Sequence, residues 1–355
     1  MGDTSVIIND SFRGQQVTGQ QRYAIEISDC LLALPGFKEG KLPRSLPEAL
    51  PSSVAKASYW AGVQLLPFRY SRDVILSLTS RAPIITKRSV YVTHDLFPIT
   101  NPEWYSREYA ALHSRLLRRQ MERATALVAV SPNVAEQISE YSGRDVDEIV
   151  VAPNAPSSVF INGSALPGGK RDAVAGFAID PNSRVILAVG SIEPRKNLVR
   201  LTAAVAKLNS CTDEVHTLLI VGGGASVFAG VPTIDSPHVV FAGRVSDDAL
   251  SSLYRHCDAV VFPSLAEGFG LPNVEALAAG ANLAVSDIPV FRWICGSGAT
   301  YFDPLDSDSI AAGIEAALRA PRRLAEHDRV GLISRFQWKE SAAAIARLCE
   351  KVASS

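Results

Sequence analysis

The sequence predicts an α/β protein made of two doubly wound domains. Three observations predict it. The chain has 355 residues, more than one hydrophobic core ordinarily organises. Short β-branched apolar runs alternate with helical patterns along it, as in parallel sheets covered on both faces. A stretch rich in Gly, Pro, Ser and Ala, 154–182, separates two such series and reads as a linker. Two domains of this kind bind ligands outside the carboxyl ends of their strands, in a cleft between them.

The elements follow in order. Val6-Ile7-Ile8 is the first strand, and Gln20 to Leu32 the helix after it. Lys38 to Ser58 is Pro-rich and carries no legible motif. Val74-Ile75-Leu76 and Val90-Tyr91-Val92 are strands, Arg107 to Arg123 a helix, and Ala126 to Val130 a strand. Pro132 to Tyr141 is helical and Ile149-Val150-Val151 returns to strand. The second half repeats the alternation, with strands at Val185–Val189, Thr217–Val221, His238–Phe241, Ala259–Phe262, Asn282–Val285 and Thr300–Phe302. The expected divisions are 1–165, 166–336 and a closing helical segment 337–355, whose Ala-rich face after Trp338 suits close packing.

Composition excludes several classes. Hydrophobic residues are 47% and charged residues 20%, as in soluble globular proteins. The formal net charge of -1, with both signs mixed along the chain, excludes the basic stripe of a nucleic-acid binder. Cys30, Cys211, Cys257, Cys295 and Cys349 are odd in number and form no C-x-x-C pair. Free thiols in a reducing compartment are expected, with neither zinc nor a disulfide framework. Met1 to Ser5 has no basic or apolar leader character, and Val6 stands where myristoylation requires Ser or Thr. A cytoplasmic protein is expected. No apolar run reaches spanning length, so membrane contact would be peripheral. Arg115, Arg118, Arg119 and Arg123, beside Leu112, Leu116 and Met121, read either as a dock for anionic lipid or as a solvated face over interior leucines.

The most informative segment runs from Phe262 to Leu277. A strand ends near Pro263, and Glu267 sits in the next loop. Gly268 and Gly270 let the backbone turn and approach a ligand closely. Pro272 suits a first helical turn, whose free N–H groups attract an anion. Glu275 falls one turn into that helix. Two carboxylates beside an anion site suit a ligand with phosphates and many hydroxyls; the alternative is a tight loop with one capping and one surface glutamate.

Glu267-Gly-Phe-Gly-Leu-Pro-Asn-Val-Glu275 is a Glu-x7-Glu pattern. Gly190-Ser-Ile-Glu-Pro-Arg195-Lys196-Asn197, Ser286-Asp-Ile-Pro-Val-Phe-Arg292 and Tyr301-Phe-Asp-Pro-Leu-Asp306 accompany it. Val17-Thr18-Gly19-Gln20-Gln21-Arg22 and His94-Asp95-Leu96-Phe97-Pro98 stand in the first half. This ordered set resembles the family-four retaining glycosyltransferases of the GT-B fold, in which two Rossmann-like domains face a central cleft.

The resemblance implies an acceptor-side domain over 1–165, a donor domain over 166–336, and a last helix that packs back across their junction. Glu275 would bind the nucleotide ribose. Glu267, with Gly268, Phe269, Gly270 and Leu271, would hold the donor sugar. Arg195 and Lys196, after Gly190, would neutralise the diphosphate, and the same chemistry follows from the negative charge that builds on a departing nucleoside diphosphate. Gly19, Ser131 and Asn154 match donor-side positions; a turn glycine, a helix cap and a turn are their plainer readings. His94 would lie near the reacting sugar carbon, with Asp95 orienting its loop. No protein nucleophile is implied, and no Ser-His-Asp set is legible. One glycine stands at Gly19 where many relatives have two, and Gly280-Ala281-Asn282-Leu283 where relatives often have Gly-x-Pro-Val.

The Arg195-Lys196 and Ser286 to Arg292 segments look most like those of bacterial surface-polysaccharide mannosyl, rhamnosyl or glucosyl transferases, and the expected activity is transfer of a hexosyl group, with mannosyl from GDP-mannose the choice among them, to a glycan or lipid-linked acceptor. A nucleotide-sugar epimerase or phosphorylase on the same architecture, or a non-catalytic sugar-binding protein, are the alternatives. No cofactor and no metal are expected. Asp145-Val-Asp147 and Asp306-Ser-Asp308 have the D-x-D form, but the second sits at a helix start where aspartate caps. Gly222-Gly223-Gly224 lacks the spacing and acidic partner of an NAD site.

Overall fold

The computed structural model describes residues 5–40, 52–163, 169–180, 182–224, 228, 234, 236–320 and 326–355, without side chains at 52–59, 326 and 327. The expected boundary at 165/166, the Leu166-Pro167-Gly168 part of the linker and Met1 to Thr4 lie outside the described residues. In chain order the strands are β1 (Val6–Asn9), β2 (Phe37–Gly40), β3 (Val74–Ser77), β4 (Ser89–Thr93), β5 (Ala126–Ala129), β6 (Val150–Val151), β7 (Arg184–Val189), β8 (His216–Val221), β9 (Val239–Gly243), β10 (Ala259–Phe262), β11 (Leu283–Ser286) and β12 (Thr300–Phe302). The helices are α1 (Gly19–Leu32), α2 (Ser52–Arg69), α3 (Phe97–Thr100), α4 (Arg107–Arg123), α5 (Pro132–Ser142), α6 (Ser158–Asn162), α7 (Gly169–Val174), α8 (Leu198–Cys211), α9 (Asp247–His256), α10 (Leu271–Ala279), α11 (Pro289–Cys295), α12 (Ser307–Arg319), α13 (Glu326–Ile333) and α14 (Trp338–Ser354).

The chain forms two compact units. The first comprises Met1–Thr100, Glu108–Asn154 and Phe336–Ser355, and the second Asn101–Arg107 and Ala155–Arg335. Each holds a six-stranded sheet, in the order β2-β1-β3-β4-β5-β6 and β12-β11-β10-β7-β8-β9. Neighbouring strands run parallel throughout both sheets. Every residue of β1, β3, β4, β8, β10 and β11 is buried, which is why these strands read as unbroken apolar runs.

In the second unit, α8 turns Leu198, Leu201, Val205 and Leu208 onto a core with Ile186, Leu218 and Val261. Their spacing marks one helical face. Ile310 and Ile314 of α12 complete that layer. Full burial of each such side chain stabilises the unit by about 1.5–3 kcal/mol. In the first unit, α14 packs beside α1. Trp338 meets the Tyr23 ring edge-on at 5.8 Å, and Ser341 Oγ donates to Pro153 O at 2.7 Å. Ala342 and Ala346 are buried on this face.

Two sequence expectations change. The stretch 37–40, within and beside the segment with no legible motif, is the edge strand β2. Its exposed Lys38 and half-buried Glu39 conceal a strand period over so few residues, yet charges suit an edge. Gly40 is sterically required there: a Cβ would come within 2.6 Å of Ile7 Cγ2. The stretch read as a linker carries α6 and α7 and belongs to the second unit's body. Phe160 and Val174 anchor the two helices in the interior. Arg255 Nη2 donates to Phe160 O at 2.7 Å, and Lys170 Nζ pairs with the buried Asp258 at 2.9 Å. Helices this short show no periodicity, so composition dominated the reading.

The departure at Gly280 leaves the sheet regular. Gly280 adopts φ 77° and caps α10, while Asn282 O accepts from Val260 N at 2.8 Å to start β11. All five cysteines are free thiols. No helix among the described residues is long and apolar enough to cross a membrane.

Candidate functional site

In the second sheet β7 and β10 are neighbours, although β8 and β9 intervene in the chain. The winding direction reverses between them, and the crevice at such a reversal is where open α/β sheets bind ligands. The segments leaving these two strands are Gly190–Asn197 and Pro263–Gly270. A small pocket lies at this end of the sheet, lined by Gly190, Ser191, Lys196, Ile220, Phe262 and Ser264 among others.

After β7 the chain turns through Gly190 into a 3-10 turn, Pro194–Lys196, which Asn197 ends in the left-handed region at φ 55°. Asparagine tolerates that region, and its amide ties the turn down. Nδ2 donates to Pro263 O at 3.1 Å and Pro304 O at 2.7 Å. Leu265 N donates to Arg195 O at 2.8 Å, which joins the two loops by backbone.

Glu267, 9% exposed, stands between both cations. Its Oε1 accepts from Lys196 Nζ at 2.6 Å and Ser264 Oγ at 2.8 Å, and its Oε2 pairs with Arg195. Arg195 also donates to Ala266 O at 3.0 Å and to Glu193 at 2.6 Å. Glu193 is 2% exposed and accepts from Ser191 Oγ at 2.9 Å as well. Burial alone would raise the Glu267 carboxyl, but the Arg195 and Lys196 charges and two hydrogen bonds outweigh it and push it down to about 2. Glu267 therefore holds no proton at neutral pH. It can accept hydroxyls but supply no acid. The four charged groups balance to zero, so an incoming dianion meets cations already oriented by carboxylates.

Gly190, Arg195, Lys196, Glu267 and the Gly268-Phe269-Gly270-Leu271 run thus share one end of one sheet. Lys196 passes directly over Gly190, where a Cβ would meet its Cε at 3.0 Å. Gly270 has φ 99° and begins α10. Phe269 is buried against Trp293, with ring centroids 6.0 Å apart. Glu275 is 5% exposed on α10. Sequence reasoning assigned no role to Glu193, Ser264, Asn197 or Gly222. Gly222 is the clearest of these: a Cβ there would come within 1.8 Å of Gly190 O. Its sequence signal is the Gly222-Gly223-Gly224 run, directly after β8.

The remaining expected residues lie in the first unit. His94 follows β4; its Nε2 lies 2.8 Å from Leu78 O and its ring meets Tyr23 edge-on at 5.0 Å. Tyr23 is held in turn by its hydroxyl donating to Ala152 O at 3.1 Å. Burial pushes His94 down to about 4, against the pull of the Leu78 carbonyl, so its ring is neutral at pH 7. Ser131 Oγ caps α5 by accepting from Val134 N at 3.2 Å. Asn154 is buried after β6, and Gly19 is exposed at the start of α1, where an added Cβ would meet none of the described residues within 4 Å. The leading aspartate of each D-x-D triplet is a cap: Asp145 accepts from Asp147 N and Asp306 from Asp308 N.

Comparison with known proteins agrees with this layout. Residues 170–331 match the family model of glycosyl transferases group 1, and residues 42–155 that of glycosyltransferase family 4. The chain is 29% identical to the serotype-specific mannosyltransferase WbdA of Escherichia coli over 271 residues, 71% of this chain and 32% of WbdA. It therefore spans about a third of the length of the WbdA proteins it matches. It is 27% identical to the O-antigen chain mannosyltransferase RfbU of Salmonella typhimurium over 74% of this chain and 70% of that one. Among solved structures, sucrose-phosphate synthase from Thermosynechococcus elongatus superposes with a TM-score of 0.75, covering 99% of this chain and 100% of its own at 17% identity. That likeness is one of fold.

Proposed function

Because the chain belongs to the family-four glycosyltransferases of the GT-B fold, we propose that it transfers a hexosyl group, with retention, from a nucleoside diphosphate sugar to a glycan or lipid-linked saccharide in surface-polysaccharide assembly. GDP-mannose is the proposed donor, and similarity to two mannosyltransferases supports that choice. The observation that carries the reading is the Arg195–Lys196–Glu267 cluster, with Lys196 and Glu267 buried and Arg195 half-buried, at the reversal point of the second sheet.

The chemistry assigned to the cluster is electrostatic. As the bond from the sugar C1 to the diphosphate oxygen lengthens, charge gathers on the diphosphate. Arg195 and Lys196 stabilise it without reorganising, since Glu193 and Glu267 already fix them. The acceptor oxygen bonds C1 on the face the diphosphate leaves, and its proton passes to a diphosphate oxygen. Glu267, ionised, and the Gly268–Leu271 backbone bind donor-sugar hydroxyls; Glu275 binds the ribose. His94 is assigned to the reacting end of the sugar, and Gly19, Ser131 and Asn154 to donor contacts, on family resemblance. No resident metal or cofactor has a part in this scheme. Arg115, Arg118, Arg119 and Arg123 are exposed on α4 together with Leu112, and this supports peripheral contact with anionic lipid at the cytoplasmic face.

The test is a panel of GDP-, UDP- and dTDP-sugars, scored for binding, hydrolysis and transfer, with the product anomer read by NMR. Transfer from one donor with retained configuration is expected. An inverted product, or full donor binding by Glu275→Ala, would contradict the assignment.

A further inference from the structure

Asn273 lies in the first turn of α10, between Gly270 and Glu275. Its side chain is 1% exposed, and neither amide atom, Nδ2 nor Oδ1, has a hydrogen-bond partner among the described residues. Its backbone N–H is already engaged by Gly270 O at 2.9 Å, so the unmet groups are those of the side chain. A buried donor or acceptor left unpaired costs about 1–3 kcal/mol. Leu271, Val274, Ala276 and Leu277 around it on the helix are buried and apolar, so the position would accept a leucine without that cost. A buried polar group without a partner is uncommon in native proteins and calls for an explanation such as a functional role, an ion or a water.

The location says which ligand. Nδ2 flanks Gly270, at 3.2 Å from where a Cβ on that residue would stand, with the Phe291 ring closing the other side at 2.9 Å. Gly270 ends the loop that begins at Glu267, whose carboxylate and backbone are assigned above to the donor sugar. The amide offers both a donor and an acceptor, and a sugar hydroxyl offers the same pair in return.

We propose that the Asn273 amide reads a hydroxyl of the donor sugar and so determines which sugar the enzyme accepts. The proposal rests on the glycosyltransferase reading. A site built to bond a hydroxyl discriminates strongly against analogues that lack or misplace it, because its own buried groups are then left unpaired.

The experiment compares the parent with Asn273→Leu and Asn273→Ser. It measures affinity for the free nucleoside diphosphate, KM for the preferred donor, and relative rates on donors epimeric at single hydroxyls. Both variants should bind the free diphosphate within about twofold of the parent. KM for the preferred donor should rise about tenfold in the leucine variant, the equivalent of 1.4 kcal/mol, and preference between epimers should fall by a similar factor. The serine variant should retain part of each. Unchanged epimer preference in both variants overturns the proposal, as does an equal loss of diphosphate and sugar nucleotide, which marks a scaffold role. A parent that binds diphosphate yet no sugar nucleotide brings down the transferase reading, and this contact with it.

Discussion

Lys196 Nζ lies 2.6 Å from Glu267 Oε1, and the two residues are 71 apart in the chain. The contact joins the loop after β7 to the loop after β10. It makes the cationic and hydroxyl-binding halves of the site one electrostatic unit, so neither can be altered alone.

Glu267→Gln should therefore damage more than a hydroxyl contact. Arg195 and Lys196 would keep their charges in a buried setting with one carboxylate fewer. Removing one partner of a buried pair costs about 3–5 kcal/mol. Urea unfolding should show a lower midpoint, and turnover should fall at least about a hundredfold.

The same carboxylate sets an acid limit. Its folded value, about 2, lies below the ordinary 4.5 of a glutamate. The stability it contributes is complete above the unfolded value and is lost as pH falls from there through about 2. Unfolding midpoints measured down this range should drop more steeply for the parent than for Glu267→Gln.

His94 gives a separate window. Burial holds the folded ring near 4, against 6.5 unfolded. A lowered value means the unfolded chain binds the proton first, so stability is present above 6.5 and declines as pH falls toward 4. His94→Gln should flatten that decline in a pH series of urea midpoints, since glutamine does not titrate.

Arg195→Lys tests geometry against charge. Arg195 reaches Glu193, Glu267 and the Ala266 carbonyl at once. A lysine keeps the charge but not the planar fork. Donor kcat/KM should fall about 10- to 100-fold, an effect of about 1.4–2.7 kcal/mol.

Two glycines in one run should behave oppositely. Gly222, at φ 145°, faces Gly190 O with no room for a Cβ, whereas a Cβ at Gly224 would meet none of the described residues within 4 Å. Gly222→Ala should destabilise the protein by at least about 2 kcal/mol, and Gly224→Ala by no more than about 0.5 kcal/mol. Thermal melts of the two variants measure the difference.

Much of this protein is legible along the chain. Interior strands such as β8 and β10 are buried on both faces, so hydrophobicity alone marks them. The edge strand β2 and the short helices α6 and α7 are not legible, because their stability comes from a few distant contacts such as Arg255 with Phe160 O. Glu267, Glu275, Arg195 and Lys196 are identifiable as site residues because their types suit a phosphorylated, hydroxyl-rich ligand beside a helix start. Their roles are less legible. A pair of glutamates suggests an acid and a base, and only the surroundings of Glu267 show a carboxylate too firmly ionised to donate.

The sequence by itself determined which side chains stand at the ends of strands, since local periodicity and turn residues set those positions. Tertiary structure alone decided that β10 lies beside β7, that Lys196 and Arg195 meet Glu267, and that the Asn273 amide has no hydrogen-bond partner among the described residues. The reason is physical. Strand order and side-chain ionisation depend on burial among residues far apart in the chain, and no local window of sequence contains them.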